Sequence, residues 1–101
     1  MPKKDAVAGF DWDAGNLEKC RKHGVSIDEI EAILNSNPAI APDIKHSANE
    51  DRFIAVGKNN VGRAIFVAFT IRTKGGRQYL RPVSARYMRT KEAERYEKKS
   101  P

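Results

Sequence analysis

At 101 residues the chain is sized for one domain, and its single cysteine, Cys20, excludes an internal disulfide and a thiolate metal cage within one chain. Hydrophobic residues make up 40% and charged residues 32%, so a core can form beneath an unusually ionic surface. The net charge of +6 favours anionic partners, and no apolar run approaches the ~20 residues that a membrane-spanning helix needs.

The opening "MPKKDAVAGFDWD" is charged and carries no apolar stretch of the secretory kind, so a cytoplasmic protein with no membrane partner is expected. "AGFDW" reads as a short first strand, with Phe10 and Trp12 on one side of the pleat. Asp13 is placed to cap a helix over "AGNLEKCRKH", whose narrow apolar stripe is Ala14, Leu17 and Cys20. Lys22 and His23 fall in its last turn, where positive charge suits the dipole, and Gly24 supplies the left-handed stop. The next helix has a capping box in Ser26 and Glu29, a staple in Val25 and Ile30, and a buried face of Ile27, Ile30, Ile33 and Leu34. It ends at "NSNP", because Pro38 disfavours helical geometry at Asn37.

Beyond this point the period changes. "AIAPDI" is expected as an edge strand, since Pro42 cannot sit at a sheet centre, and "KHSANED" as a polar loop. "RFIAVG" and "RAIFVAFTIR" flank the turn "KNNVG". In the longer strand Ile65, Val67, Phe69 and Ile71 face one way, while Ala64, Phe66 and Ala68 face the other, which implies a central strand with helices on at least one side. "TKGGR" turns the chain into a last strand, "QYLRPVSAR", with Pro82 at an edge or a bulge. "TKEAERYEKK" closes as a mostly polar helix with Ala93 and Tyr96 inward. The order implies an α+β fold: a mostly antiparallel sheet packed against two N-terminal helices, with a C-terminal helix. The expected boundaries are an N-terminal tail over 1–9, one domain over 10–97 and a C-terminal tail over 98–101.

Arg52, Arg63, Arg72, Arg81 and Arg86 fall in or at the ends of strands. Like charges on neighbouring strands repel unless an anion comes between them, and guanidinium forks match phosphate oxygens. RNA or DNA phosphate is the natural anion. Asp11 and Asp13 form no convincing two-metal set, and two histidines give a poor zinc inventory, so no metal or cofactor is expected. A metal-free route remains for RNA, in which the 2′-hydroxyl attacks the adjacent phosphorus with a base, an acid and cations in support. Acid and base candidates are His23, His46, Glu92, Tyr79, Tyr87 and Tyr96. Cys20 reads as small core filler.

The segments "FDWDAGNLEKCRKHGVS", "HSANEDRFIAVG", "GRAIFVAFT" and "RPVSARYMRTKEAERYE", in this order and spacing, resemble the BrnT toxins of bacterial type II toxin–antitoxin systems. The positions that match are Trp12, Asn16, Lys22, His23, Gly24, Arg52, Gly57, Ser84, Ala85, Arg86, Glu92 and Tyr96. The resemblance implies a RelE-like fold and a ribonuclease that stops translation. It also implies a BrnA-like antitoxin partner, through which the complex would reach operator DNA and repress its own promoter; a homodimer and a heterotetramer with that antitoxin both stay open. Nearest to the catalytic groups of the wider fold are Arg86, Arg81, Arg72 and Tyr96, with Glu92 as an acid–base candidate. Arg52, Arg63, Lys22, His23 and His46 are expected to contact RNA. Ile27 stands where an aromatic is usual, Asn49 where glycine precedes Glu50, and Tyr87–Met88 where a basic residue and alanine are commoner; Tyr87 is the departure expected to touch the site.

Two other functions compete with a metal-independent endoribonuclease. A non-catalytic basic nucleic-acid-binding module would bind with a steep salt dependence and cut nothing. A repressor or antitoxin role lacks a helix-turn-helix or ribbon-helix-helix pattern.

Overall fold

Alternation in the strand that begins at Ala64 decides the layering. The computed structural model describes residues 7–47 and 49–99, except for the side chains of residues 96–99. It has five strands and three helices in the order β1 (Val7–Phe10), α1 (Ala14–Arg21), α2 (Ile27–Asn35), β2 (Ala39–Pro42), β3 (Arg52–Lys58), β4 (Ala64–Lys74), β5 (Arg77–Tyr87) and α3 (Thr90–Lys99). One face of β4 puts Ile65, Val67 and Phe69, each 0% exposed, against Cys20, Val25, Ile30 and Ile33 of the α1–α2 layer. The other face puts Ala64 and Phe66 into a smaller cluster with Val56, Met88 and Ala93. Helical cover on both faces is why the strand is apolar on both.

The sheet order is β1-β5-β4-β3-β2. It is mixed, and the reason is β1: this strand runs parallel to β5, pairing Val7 with Gln78, Gly9 with Tyr79 and Phe10 with Leu80. The other neighbours are antiparallel, as expected. Pro82 lies at an irregularity, because Phe69 pairs with Pro82 but Ala68 pairs with Ser84, leaving Val83 as the extra residue of a bulge.

The helix ends follow local chemistry. Asp13 caps α1 through the backbone of Asn16, and Ser26 with Glu29 closes a full capping box on α2. Gly24, at φ 86°, stops the first helix in the left-handed region. Three local expectations differ. β1 ends at Phe10, so Trp12 is not on its pleat; Trp12 packs on the core as Phe10 does, and its Nε1 donates to Glu31 Oε2 at 2.9 Å. Helix α1 ends at Arg21, leaving Lys22 and His23 in the turn that follows. The buried face of α1 holds Asn16 and Cys20, while Ala14 is exposed. Asn16 turns inward because its amide Nδ2 donates to the Asp11 carbonyl at 2.9 Å and the Pro82 carbonyl at 2.8 Å, stitching the start of α1 to β5. The Tyr96 side chain, expected to point inward, lies outside the described residues.

Candidate functional site

Cross-strand partners share a face, so the register settles which arginines stand together. Arg52 is opposite Thr70, and Thr70 is opposite Arg81, forming one row across β3, β4 and β5. Arg72 opposite Tyr79 continues that row towards the β4–β5 turn; Ala68 opposite Ser84 and Phe66 opposite Arg86 lie the other way. These residues share the face of the sheet that α1 and α2 do not cover. Only its far end is packed by α3, through Ala93 against Val56, Ala64 and Met88. From Phe66 to Thr70 is four residues, roughly 14 Å along the strand. Arg86 therefore stands at one end of a strip that runs through the Arg52–Arg81 row to Arg72.

The anions between these cations belong to the chain itself. Arg81 Nη1 meets Asp13 Oδ2 at 2.8 Å and Asp11 Oδ2 at 3.5 Å, and Lys74 Nζ meets Asp11 Oδ1 at 2.8 Å. Arg72 forks onto Glu50 at 2.7 and 3.2 Å, and Arg86 onto Glu92 at 2.8 Å through both nitrogens. Arg86 also lies over the Phe66 ring, 4.6 Å from its centroid. The clustered arginines thus do not require an external anion, which corrects the repulsion argument made from sequence. The Lys74 hydrogen bond holds the Asp11 carboxyl below its ordinary range against the opposing effect of burial, and the Arg86 fork does the same for Glu92. The pairs differ in cover. Asp11 is only 9% exposed, so Lys74 and Arg81 are held by a carboxylate that water barely reaches. Glu50 and Glu92 are about a third exposed, and such pairs exchange readily with solvent or another anion.

A second constellation sits at the Arg52 end. Asp43 is buried at 8% exposure and precedes a short 3-10 turn, Ile44–His46. Its carboxylate faces His46 Nδ1 at 3.0 and 3.1 Å and Arg52 Nε at 3.4 Å. The Arg52 contact is an ion pair but is not aligned as a hydrogen bond: Arg52 Nε and the buried Thr70 Oγ1 have no hydrogen-bond partner among the described residues. The turn is anchored independently, since Asp43 N donates to the Arg52 carbonyl at 2.7 Å and Ser47 Oγ donates to the Asp43 carbonyl at 2.7 Å. The first of these, with Arg52 N donating to Ser47 Oγ at 2.9 Å, fixes the loop to the start of β3.

Among the residues expected from sequence, Arg52, Arg72, Arg81 and Arg86 share this face, Glu92 borders it from α3, and His46 flanks it. Lys22 and His23 are exposed at the end of α1, in the layer on the opposite side of the sheet. Arg63 is also apart, stacked 3.8 Å from the centroid of the Tyr87 ring at the β3–β4 turn. Tyr87 donates its hydroxyl to Glu29 of α2 at 3.1 Å, and its ring packs on the helix-covered core, so this departure from the family pattern falls away from the charged row. Burial, and then the Glu29 hydrogen bond, push the Tyr87 phenol upward, while the Asn59 hydrogen bond leads in holding Glu29 down. Sequence reasoning missed Asp43 and Thr70. The spacing of Asp43 and His46, three residues apart as on one helical turn, was the available signal.

The chain was compared with known proteins. Residues 12–92, most of its length, match the family described as ribonuclease toxin, BrnT, of type II toxin–antitoxin system. No curated protein matches it. With that match running over 12–92 of 101 residues, the chain belongs to the BrnT family of ribonuclease toxins.

Proposed function

We propose that this protein is a metal-independent endoribonuclease of RelE-like fold that cleaves RNA by 2′-hydroxyl attack and inhibits translation. A BrnA-like antitoxin neutralises it and helps repress the operon promoter. The observation that carries this reading is the row Arg52–Thr70–Arg81, with Arg72 and Arg86 beside it, on the sheet face that α1 and α2 leave uncovered. RNA lies along β4 with its phosphates against these guanidinium groups. Arg86 and Arg72 engage phosphate directly, because their present partners, Glu92 and Glu50, are partly exposed and exchangeable. Arg52 faces the buried Asp43 at 3.4 Å, and Arg81 is shared between the exposed Asp13 at 2.8 Å and the buried Asp11 at 3.5 Å, so both stand between Arg86 and Arg72 with partners of their own.

In the reaction a base takes the 2′-hydroxyl proton, the 2′-oxygen attacks phosphorus and the 5′-oxygen leaves with a proton. The products are a 2′,3′-cyclic phosphate and a 5′-hydroxyl. The guanidinium groups stabilise the charge that builds on the non-bridging oxygens. His46 is the proton acceptor at the Arg52 end, since its Nδ1 is engaged by Asp43 and its side chain is 56% exposed. Glu92, carried by α3 at the Arg86 end, is a second acid–base group, with Tyr79 opposite Arg72 and Tyr96 of α3 as further candidates. The test incubates pure protein with end-labelled RNA in excess chelator. Cleavage to cyclic-phosphate ends, blocked by a 2′-deoxy residue at the cut site, supports the reading. Binding without scission assigns the chain to the non-catalytic binding class, and scission that requires added divalent metal overturns metal independence.

A further inference from the structure

We propose that Asp43 is a positioning residue that fixes the tautomer and orientation of His46 and, through the same carboxylate, the guanidinium of Arg52; this rests on the reading above that places His46 in the site. Three features of the molecule lead there. First, Asp43 occupies the N-cap position of its 3-10 turn and yet its side chain makes no capping hydrogen bond. Asp13 and Ser26, in the same position on α1 and α2, spend their side chains on backbone N–H groups. Asp43 instead turns its carboxylate to His46 Nδ1, at 3.0 and 3.1 Å, and to Arg52 Nε at 3.4 Å.

Second, the backbone of the turn is held without that carboxylate, by Asp43 N to the Arg52 carbonyl and by Ser47 Oγ to the Asp43 carbonyl. Ser47 Oγ also accepts from Arg52 N at 2.9 Å. The buried carboxylate is therefore not needed to close the loop. Third, the neighbouring row carries two buried polar atoms, Arg52 Nε and Thr70 Oγ1, with no hydrogen bond among the described residues. Buried polar groups are ordinarily paired, so Arg52 Nε depends on the Asp43 carboxylate 3.4 Å away.

The chemistry follows from the tautomer. When a carboxylate accepts from Nδ1–H, the imidazole is left with Nε2 as its acceptor nitrogen. Here Nε2 belongs to a side chain that is 56% exposed, while the carboxylate behind it is 10% exposed. One buried acid thus presents a proton acceptor outward and sets a phosphate-binding cation beside it. Arg52 supplies the cation facing His46 from β3, and no other charged group contacts the Asp43 carboxylate among the described residues.

The experiment uses the full chain and reads two quantities. Long-range proton–nitrogen NMR gives the tautomer of His46 in neutral protein, with His23→Gln identifying the second imidazole. Wild-type protein is expected to carry the proton on Nδ1, and Asp43→Asn, whose amide can donate to Nδ1, to move it to Nε2. Cleavage is followed on a mixed-sequence oligoribonucleotide and on messenger RNA in cell-free translation. Asp43→Asn is expected to lower kcat on the order of 10²-fold, with KM changed by less than about 3-fold. Asp43→Glu, which keeps the acceptor, is expected to recover part of the loss. Wild-type protein with its proton on Nε2 overturns the proposal, with no variant required. An unchanged kcat in Asp43→Asn, while His46→Gln abolishes cleavage, overturns the role of Asp43 and keeps His46 in the site. Full cleavage by His46→Gln overturns the placement of His46 itself, and with it the proposal.

Discussion

On one face of the sheet Ile65, Val67 and Phe69 are sealed against α1 and α2, whereas one position further along, on the other face, Thr70 stands between Arg52 and Arg81. The same three strands therefore carry two kinds of interaction. The helix side is held by area removed from water, which needs no particular partner and gains with every buried methylene. The charged side is held by carboxylates that meet guanidinium and ammonium groups one by one, at distances from 2.7 to 3.5 Å. Partly exposed pairs of this kind add little to stability. Each such carboxylate instead fixes one cation in one place.

The two faces will respond differently to truncation. The largest effect is expected at Phe69, which is 0% exposed and stacks on Phe53 with centroids 5.6 Å apart. Phe69→Ala should destabilise the protein by about 3–5 kcal/mol, read by urea unfolding. A loss below about 1 kcal/mol would mean that the helix-side core is not the main source of stability.

Arg86→Ala is the matching change on the charged face. It should lower RNA cleavage on the order of 10²–10³-fold and relieve growth arrest, while the unfolding midpoint stays close to wild type. Arrest at the wild-type level, with equal amounts of protein present, would remove Arg86 from the mechanism. A large fall in the midpoint would place Arg86 with the structural residues.

The boundary between the faces is tested by Asn16, whose amide bridges the Asp11 and Pro82 carbonyls. Asn16→Ala removes the side chain that the Asp11 and Pro82 carbonyls and Asp13 N bond to, and should cost about 2 kcal/mol. It should also loosen Asp11, the carboxylate that holds Lys74 and Arg81, and hydrogen exchange at Asp11 N, which donates to the Leu80 carbonyl, would report this.

The smallest effect is expected from acid. Asp11 and Asp13 lie below the ordinary 3.8, and Glu29 and Glu92 below the ordinary 4.5. The leading causes are hydrogen bonds from Lys74, Arg81, Asn59 and Arg86 respectively. Because each folded-state value is depressed, each contributes stability above its unfolded value and loses it as pH falls through the folded one. Stability should therefore be level from pH 7 to about 5 and decline below about 4, with salt weakening the contribution of the exposed pairs. A decline that began above pH 6 would show that other groups dominate.

What the sequence by itself determined were the features settled within a few residues. Asp13 and the Ser26–Glu29 pair start the helices, and Gly24 stops the first one. The two glycines Gly75 and Gly76, both at positive φ, turn β4 into β5. The period-two pattern of Ile65 to Ile71 divided β4 into two faces, because side chains alternate whatever the strand pairs with. Only the tertiary structure decided the rest. The parallel pairing of β1 with β5 joins segments that no local rule connects, and it brings Asp11 to Lys74 across 63 residues. Cross-strand register put Arg52, Thr70 and Arg81 in one row and left Arg63 on the other side, against Tyr87. A one-residue slip reverses every side chain in a strand, so no list of arginines in the sequence could say which of them meet. The same holds for Asp43: its spacing from His46 is local, but its burial, and its contact with Arg52, exist only once the loop is pinned against β3.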